Sequence, residues 1–296
     1  MEELKSMTLD RTTKPYLENA LTALYKNKGD EKELFSITER FNEDPTSFSS
    51  CSIDKNLLPI FPSLNGFTNL RDLGSYKSLI PHKRIRKGMI YRSAAFDELK
   101  GEDIKKAKDV LKIRTELDLR EESFWKSESV LGLDVSLLHP SNPKGGVYYL
   151  EGNGNPSDGL GLYSGGKTLY EELSVFMDPK NYPIDIHCMI GRDRTGTLAF
   201  LLLGLLGVDI LDIRFDYLTS FLYECAKPTD EHLRMVLFNG FQSMVRLIKD
   251  ETNEENFYLA IKKYVTMSFE PNKKAMKIGL NEKDIKTFQD IMLEKC

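Results

Sequence analysis

The stretch His187-Cys188-Met189-Ile190-Gly191-Arg192-Asp193-Arg194-Thr195-Gly196 sets a cysteine six positions ahead of an arginine, with a glycine, an aspartate and a second arginine between them. These types at this spacing suit a loop that holds a phosphoryl group over a thiolate. A cysteine attacks as the thiolate, and a free thiol with a pKa near ~8.5 is mostly protonated at neutral pH. Between a strand end and a helix N-terminus, Cys188 faces the unpaired N–H groups of Met189 through Arg194, and those donors together with the helix dipole favour an anion. Gly191 lets the chain turn tightly around it. The same ring, Met189, Ile190, Gly191 and Arg192, can donate to the non-bridging oxygens of a phosphoryl group. Arg194 is planar and bidentate, the form needed to clamp two of those oxygens as charge develops. Thr195 offers a hydroxyl to the sulfur, and His187 is placed to brace the loop from behind.

Taken singly, these residues have plainer readings. A cysteine at a strand end is usually a small core residue, and an arginine at a helix start is usually a surface ion-pair partner. Six fixed positions together make a chance match roughly a one in 10^5 event for a chain of this length. The leaving oxygen also needs a proton. Asp193, inside the loop, and Asp118, at a strand end in Leu117-Asp118-Leu119-Arg120, are the two candidates. An ion pair with a neighbouring arginine suits Asp118 equally well. Asp72 and Asp178 read as turn or structural acids. Lys83, Arg84, Arg86 and Lys87 could steer anions or form a solvated hairpin face. Tyr148, Tyr149 and Tyr163 could pack over a phosphorylated ring or pin a loop to the core.

The elements that must position the loop follow from periodicity. Tyr182 to Ile186 predicts the strand that delivers Cys188. Thr195 to Leu206 is apolar on all sides, which predicts a helix buried in the domain centre and closed by Gly207. From Gly66 onward short apolar runs alternate with helical segments, the texture of an α/β domain with a mostly parallel sheet. Leu79-Ile80 and Met89-Ile90-Tyr91 predict a hairpin at one sheet edge. Ile104, Ala107, Val110 and Leu111 share a helical face, Arg114 to Leu119 and Val135 to Leu138 predict strands, and Thr168 to Met177 a helix. Helices are expected from Asp209, from Thr229, over Phe257 to Val265 and over Asn281 to Leu293, an all-helical C-terminal third. Residues 142–167, rich in Gly, Asn, Pro, Tyr and Ser, are too long for an ordinary connector and suggest a flap. Leu17, Leu21, Leu24 and Tyr25, then Leu34, Ile37 and Phe41, predict two short helices near the N-terminus. The expected division is therefore an N-terminal helical extension and connector over 1–60 and a catalytic domain over 61–296.

A net charge of −4 across 296 residues gives no electrostatic reason to expect nucleic acid as a partner. The four cysteines, Cys51, Cys188, Cys225 and Cys296, form no CxxC pair, so neither a zinc site nor a disulfide framework is suggested and a reducing compartment is expected. Leu198 to Val208 falls short of the roughly 18 apolar residues a membrane span needs. The first residues carry no apolar signal segment, which points to the cytoplasm, with secretion after removal of a signal left open.

Set beside Gly66-Phe67-Thr68-Asn69-Leu70-Arg71-Asp72-Leu73-Gly74, Tyr91-Arg92-Ser93-Ala94 and Leu117-Asp118-Leu119-Arg120, the loop resembles that of the atypical tyrosine-phosphatase family, whose members include the secreted mycobacterial phosphatase and the lipid phosphatase-like enzymes of Gram-positive pathogens. Ile278 to Ile285 also resembles a family helix start. The resemblance implies a cysteine-phosphatase fold, no metal and no cofactor, Cys188 as nucleophile, Arg194 as phosphate clamp, Asp193 as a loop acid and Asp118 lining the pocket. The usual family loop has lysine where this chain has Arg192, a change that keeps charge but not geometry. No Trp-Pro-Asp loop exists, since the only tryptophan, Trp125, precedes Lys126 and Ser127. The expectation is a phosphomonoesterase acting through a phosphocysteine on phosphotyrosine or other phosphorylated residues, with inorganic phosphate as product. A phosphoinositide or inositol-phosphate phosphatase is the alternative. A catalytically dead phosphate-binding module and a sulfurtransferase are the more distant rivals.

Overall fold

The computed structural model describes residues 66–140, 166–220, 241–267 and 279–295. Its strands are β1 (Arg71–Asp72), β2 (Lys83–Ile85), β3 (Ile90–Ala94), β4 (Thr115–Asp118), β5 (Ser136–Leu138), β6 (Ile184–Cys188) and β7 (Leu293–Lys295). The helices are α1 (Gly101–Leu111), α2 (Gly166–Ser174), α3 (Asp193–Leu205), α4 (Ile210–Thr219), α5 (Phe241–Thr252), α6 (Phe257–Thr266) and α7 (Glu282–Met292). The two expected N-terminal helices, nearly all of the flap with its three tyrosines, and the helix start at Thr229 lie outside the described residues.

Five strands form one sheet in the order β1-β3-β6-β4-β5. β3, β6, β4 and β5 run parallel, and β1 is antiparallel at the edge. Every residue of β6 is buried, as expected of a central parallel strand covered on both faces. On one face Ile184, Ile186 and Cys188 join the large core formed with α2, α3 and α5 to α7. The other face is covered by a second core that includes Phe67, Phe96, Ala107, Leu111 and Leu131. Ala94 pairs with Cys188 and Asp118 with His187, so β3, β4 and β6 end level with one another. The loops that follow them meet at the carboxyl edge of the sheet, where sites in open α/β sheets form.

α3 is the buried helix the sequence predicts, with every residue from Arg194 to Leu205 inside. Gly204 is where α6 presses closest, since an added Cβ would lie 2.1 Å from Cδ1 of Ile261. Gly207 adopts a φ of 69° and ends the helix in a Schellman turn. Its N–H donates to Gly204 at 3.1 Å, and that of Val208 to Leu203 at 3.0 Å. Asn281 and Asp284 close the capping box that starts α7. The result is an α/β fold with a mixed, mostly parallel central sheet and a helical C-terminal third. No helix among the described residues is long and apolar enough to cross a membrane.

Three local expectations are corrected. The predicted hairpin does not form: Lys83–Ile85 is itself a strand, and it pairs antiparallel with Leu293–Lys295 in a separate two-stranded sheet. Arg84 there bonds Glu294 at 2.7 Å, so the basic run borders a partner strand rather than a turn. The C-terminal third accordingly ends in strand β7. Val110 lies 56% exposed, off the buried face that α1 builds from Ala107 and Leu111.

Candidate active site

Cys188 closes β6 and is 2% exposed. Its loop runs to α3 through Met189–Arg192, and the backbone there is held from outside. The carbonyl of Met189 accepts from the Ala95 N–H at 3.1 Å. Asn69 Nδ2 donates to the carbonyls of both Ile190 and Gly191 at 3.0 Å, and Arg92 Nη2 donates to Gly191 O at 2.6 Å. In a planar trans peptide the N–H points opposite to the C=O. Tying these carbonyls outward therefore turns the N–H groups of Ile190, Gly191 and Arg192 away from the scaffold, toward the inside of the loop. Gly191 has a φ of 70°, and a Cβ there would sit 2.3 Å from the Ser93 carbonyl oxygen. Only glycine fits.

The donors are themselves fixed by a buried charge cluster. Asn69 accepts through its side-chain oxygen from Arg71. Arg71 reaches Asp216 through Nε at 2.7 Å and Ser220 Oγ at 2.9 Å. Arg92 bonds the other oxygen of Asp216, and Tyr76 donates to the carboxylate at 3.1 Å. Burial pushes the Asp216 carboxyl up, but Arg71 and Arg92 outweigh it and hold the group below the usual carboxylate range. Burial and the neighbouring Arg71 bring Arg92 down to about 10. Two guanidiniums against one carboxylate leave a net positive charge beneath Gly191, where water does not screen it, and that favours an anion in the loop.

Below Cys188 lies His187, fully buried. Its Nδ1 is 3.3 Å from the Cys188 carbonyl and its Nε2 is 2.9 Å from Glu116 Oε1. Burial lowers the imidazole, but Glu116, Asp118 and Asp185 overcome that and push it up to about 9. Those carboxylates favour the protonated ring, whose two nitrogens face the Cys188 carbonyl and Glu116. Asp185, one strand position pair below, is pushed up to about 7 by burial against the pull of His187.

At the mouth, Arg194 is 8% exposed and its Nη1 donates to Leu119 O at 2.9 Å and Glu121 Oε2 at 2.8 Å. Thr195 is buried, and its hydroxyl has no hydrogen-bond partner among the described residues. Arg192 forks onto the neighbouring carboxylate of Asp193 through Nε and Nη2. Met189 and Ile190 expose 39% and 40% of their surface. Asp118, by contrast, is fully buried and engaged by Arg120 through Nε at 2.9 Å and Nη2 at 2.8 Å. Burial raises its carboxyl, and Arg120 with His187 more than compensates, leaving it below the usual range. Arg120 also pairs with Asp97. Asp72 accepts from the N–H groups of Gly74 and Gly88, at 2.8 Å and 2.7 Å, as a turn acid.

The structure therefore gathers Cys188, the loop residues, Asp193, Arg194 and Thr195 at one end of β6, with His187 beneath, and sets Asp118 beside His187 in an ion pair. Sequence reasoning met Asn69, Arg71 and Arg92 only as parts of the motifs that carry the resemblance, without a role, and missed Glu116, Glu121 and Asp216. Arg92 carried a signal, a charge inside the run Met89-Ile90-Tyr91-Arg92 that reads as a buried strand. Among the described residues no group of three His, Cys, Asp or Glu side chains is placed to hold a metal ion.

The family model described as "Tyrosine phosphatase family" matches residues 62–141 and 162–294, well over half of the sequence. The chain belongs to the tyrosine phosphatase family. The sequence of this family member has no match among curated proteins. Among solved structures it is similar to the core catalytic domain of the PP-IP phosphatase SIW14 from S. cerevisiae, in complex with citrate. That likeness has 20% identity and a TM-score of 0.35, over 64% of this chain and 96% of that one. A second structure of the Siw14 catalytic core shares 21% identity at a TM-score of 0.31, over 55% of this chain and 87% of that one.

Proposed function

We propose that this member of the tyrosine phosphatase family is a cysteine-dependent phosphomonoesterase. The observation that carries the reading is the outward tethering of the Met189, Ile190 and Gly191 carbonyls, which aims three backbone donors into the loop that Cys188 opens. Cys188 Sγ attacks phosphorus in line, forming the S–P bond as the bond to the leaving oxygen breaks. The loop N–H groups and Arg194 take the charge on the non-bridging oxygens. Asp193 gives the leaving oxygen its proton. Water then cleaves the S–P bond and releases inorganic phosphate, with the buried Thr195 hydroxyl donating to the departing sulfur. Asp118, held ionised by Arg120, serves the site through His187 rather than as the acid.

The substrate class we favour is a phosphotyrosine or other phosphorylated residue, the finer likeness to the mycobacterial and lipid phosphatase-like enzymes belonging to this same proposal. At the loop rim Arg192 and Arg194 are already paired with Asp193 and Glu121, as the buried Arg120 is with Asp97, and Met189 and Ile190 add exposed apolar surface. Such a rim matches one phosphate on an apolar carrier better than a ring of phosphates. Arg192 favours the second reading, phosphoinositides or inositol phosphates, because a second phosphate could displace Asp193 from it.

The test is turnover by wild type, Cys188→Ser and Arg194→Ala on an aryl phosphate, then a panel of phosphopeptides, phosphoinositides and inositol phosphates, PP-IP compounds included. Both variants are expected to lose essentially all turnover. Normal turnover in either overturns the chemistry, and preferential turnover of inositol phosphates overturns the substrate assignment. Phosphate binding with no turnover of anything in the panel would make the protein a binding module.

A further inference from the structure

Two of the acceptors that hold Arg194 come from one short stretch of chain. Its Nη1 donates to the Leu119 carbonyl at 2.9 Å and to Glu121 Oε2 at 2.8 Å. Leu119 extends the sheet, its N–H donating to the His187 carbonyl at 2.8 Å, and Arg120 is tied down through Asp118 and Asp97. Glu121 is the first residue beyond that scaffold, and its side chain is 38% exposed. A long carboxylate side chain in such a place samples several rotamers unless the backbone that carries it is fixed.

Trp125 fixes that backbone. Its indole Nε1 donates to the Arg120 carbonyl at 2.7 Å, and its N–H donates to the Glu122 carbonyl at 3.1 Å, ending the 3₁₀ turn Glu122–Phe124. Within the turn the Phe124 N–H donates to the Glu121 carbonyl at 2.9 Å. The peptide planes before and after Glu121 are therefore both tied, which sets its φ of −70° and ψ of 158° and with them the direction in which the side chain leaves the backbone. The Trp125 ring lies stacked on His139, with 4.7 Å between centroids and 19° between planes. His139 directly follows β5, and its Nε2 is 3.2 Å from the Lys126 carbonyl. A short 3₁₀ turn has poor hydrogen-bond geometry of its own, and the stack fastens this one to the sheet.

We propose that Trp125 is a positioning residue for Arg194, acting through Glu121. The assignment rests on the reading of Arg194 as the phosphate clamp. A guanidinium must present two N–H groups at once to two phosphoryl oxygens, and one oriented beforehand costs no rearrangement as charge develops there. Loss of Trp125 releases the Glu121 backbone and, with it, one of the acceptors that orient the clamp. The Cys188 loop is untouched by that loss, because its carbonyls are tethered to Asn69, Arg92 and Ala95.

The experiment compares Trp125→Ala, Trp125→Phe, Glu121→Gln and the double variant Trp125→Ala with Glu121→Gln against wild type, all in the full chain. It reads kcat and KM on an aryl phosphate and, by mass spectrometry, the rate at which Cys188 is alkylated by iodoacetamide, a neutral reagent that needs no clamp. Trp125→Ala and Glu121→Gln are each expected to lose about tenfold in kcat with KM little changed, the pattern of an interaction made in the transition state. The double variant should lose no more than either single one. Trp125→Phe keeps a ring on His139 but gives up the indole bond, and its expected loss of about fivefold covers the case of a misfolded alanine variant. Alkylation of Cys188 should proceed at the wild-type rate throughout. A kcat within twofold of wild type in Trp125→Phe, an equal fold-loss from Trp125→Ala with and without Glu121, or alkylation slowed as much as kcat overturns the proposal. Full activity of Arg194→Ala, measured beside them, overturns the clamp reading instead.

Discussion

Two aspartates separated by 75 residues in sequence stand near the same loop, and their surroundings differ. Asp118 is enclosed by Arg120 and His187 and kept below the usual carboxylate range, so it does not hold a proton to give. Asp193 begins α3 within the loop and, although Arg192 holds both its oxygens, keeps 21% of its side chain exposed, the more accessible of the two carboxylates. If Asp193 protonates the leaving oxygen, Asp193→Asn should cost about 10^2- to 10^4-fold in kcat on an alkyl phosphate. An ester with a good leaving group needs no such proton and should be nearly spared. Steady-state kinetics on a leaving-group series checks this, and equal losses across the series would make Asp193 structural. Asp118→Asn should instead cost both substrates alike. The residues proposed as nucleophile and clamp could be picked out because they are contiguous in the chain. The division of labour between the acids was not, because it depends on Arg120 and on a histidine one strand away.

At the scale of elements, the loop is shaped less by its own residues than by β1, β3 and α4 behind it. Asp216 on α4 joins Arg71 and Arg92, on neighbouring strands, and both lead to the loop carbonyls, directly through Arg92 and through Asn69. Removing one partner of a buried ion cluster leaves uncompensated charge and costs about 3–5 kcal/mol. Asp216→Asn is therefore expected to lower the denaturant midpoint by that equivalent and to weaken phosphate binding, since Arg92 loses its anchor. A stability loss below about 1 kcal/mol in urea unfolding would sink this account. Contacts of this kind join residues 124 or more apart in the chain, and no local pattern announces them. The same reason explains the misread hairpin: Lys83, Arg84 and Ile85 look like turn residues until their partner, 210 positions away, is in place beside Arg84. Elements carried by local periodicity, such as α3, were legible, and those completed by distant pairing were not.

For the molecule as a whole, the buried titratable groups divide into two sets that oppose each other in pH. Asp118 and Asp216 are held below their ordinary range when folded, so the stability they contribute is present above their unfolded values and is lost as pH falls through the folded ones. Asp185, Glu172 and His187 go the other way, rising from 3.8 to about 7, from 4.5 to about 8 and from 6.5 to about 9. Across those intervals the folded chain binds protons that the unfolded chain has released, and stability falls as pH rises. The contribution of His187 is complete below 6.5 and gone once pH passes about 9. Maximum stability is thus expected on the acidic side of neutrality, with a decline in melting temperature from about pH 5 to pH 9. Glu172→Gln removes one of the three groups and should flatten the decline between the unfolded value of 4.5 and about 8. Melting curves of both proteins in buffers of matched ionic strength check it. A wild-type melting temperature that stays level or rises from pH 5 to 9 would show that these groups reach water, and with it that the floor of the loop is not the dry layer the proposed phosphate site requires.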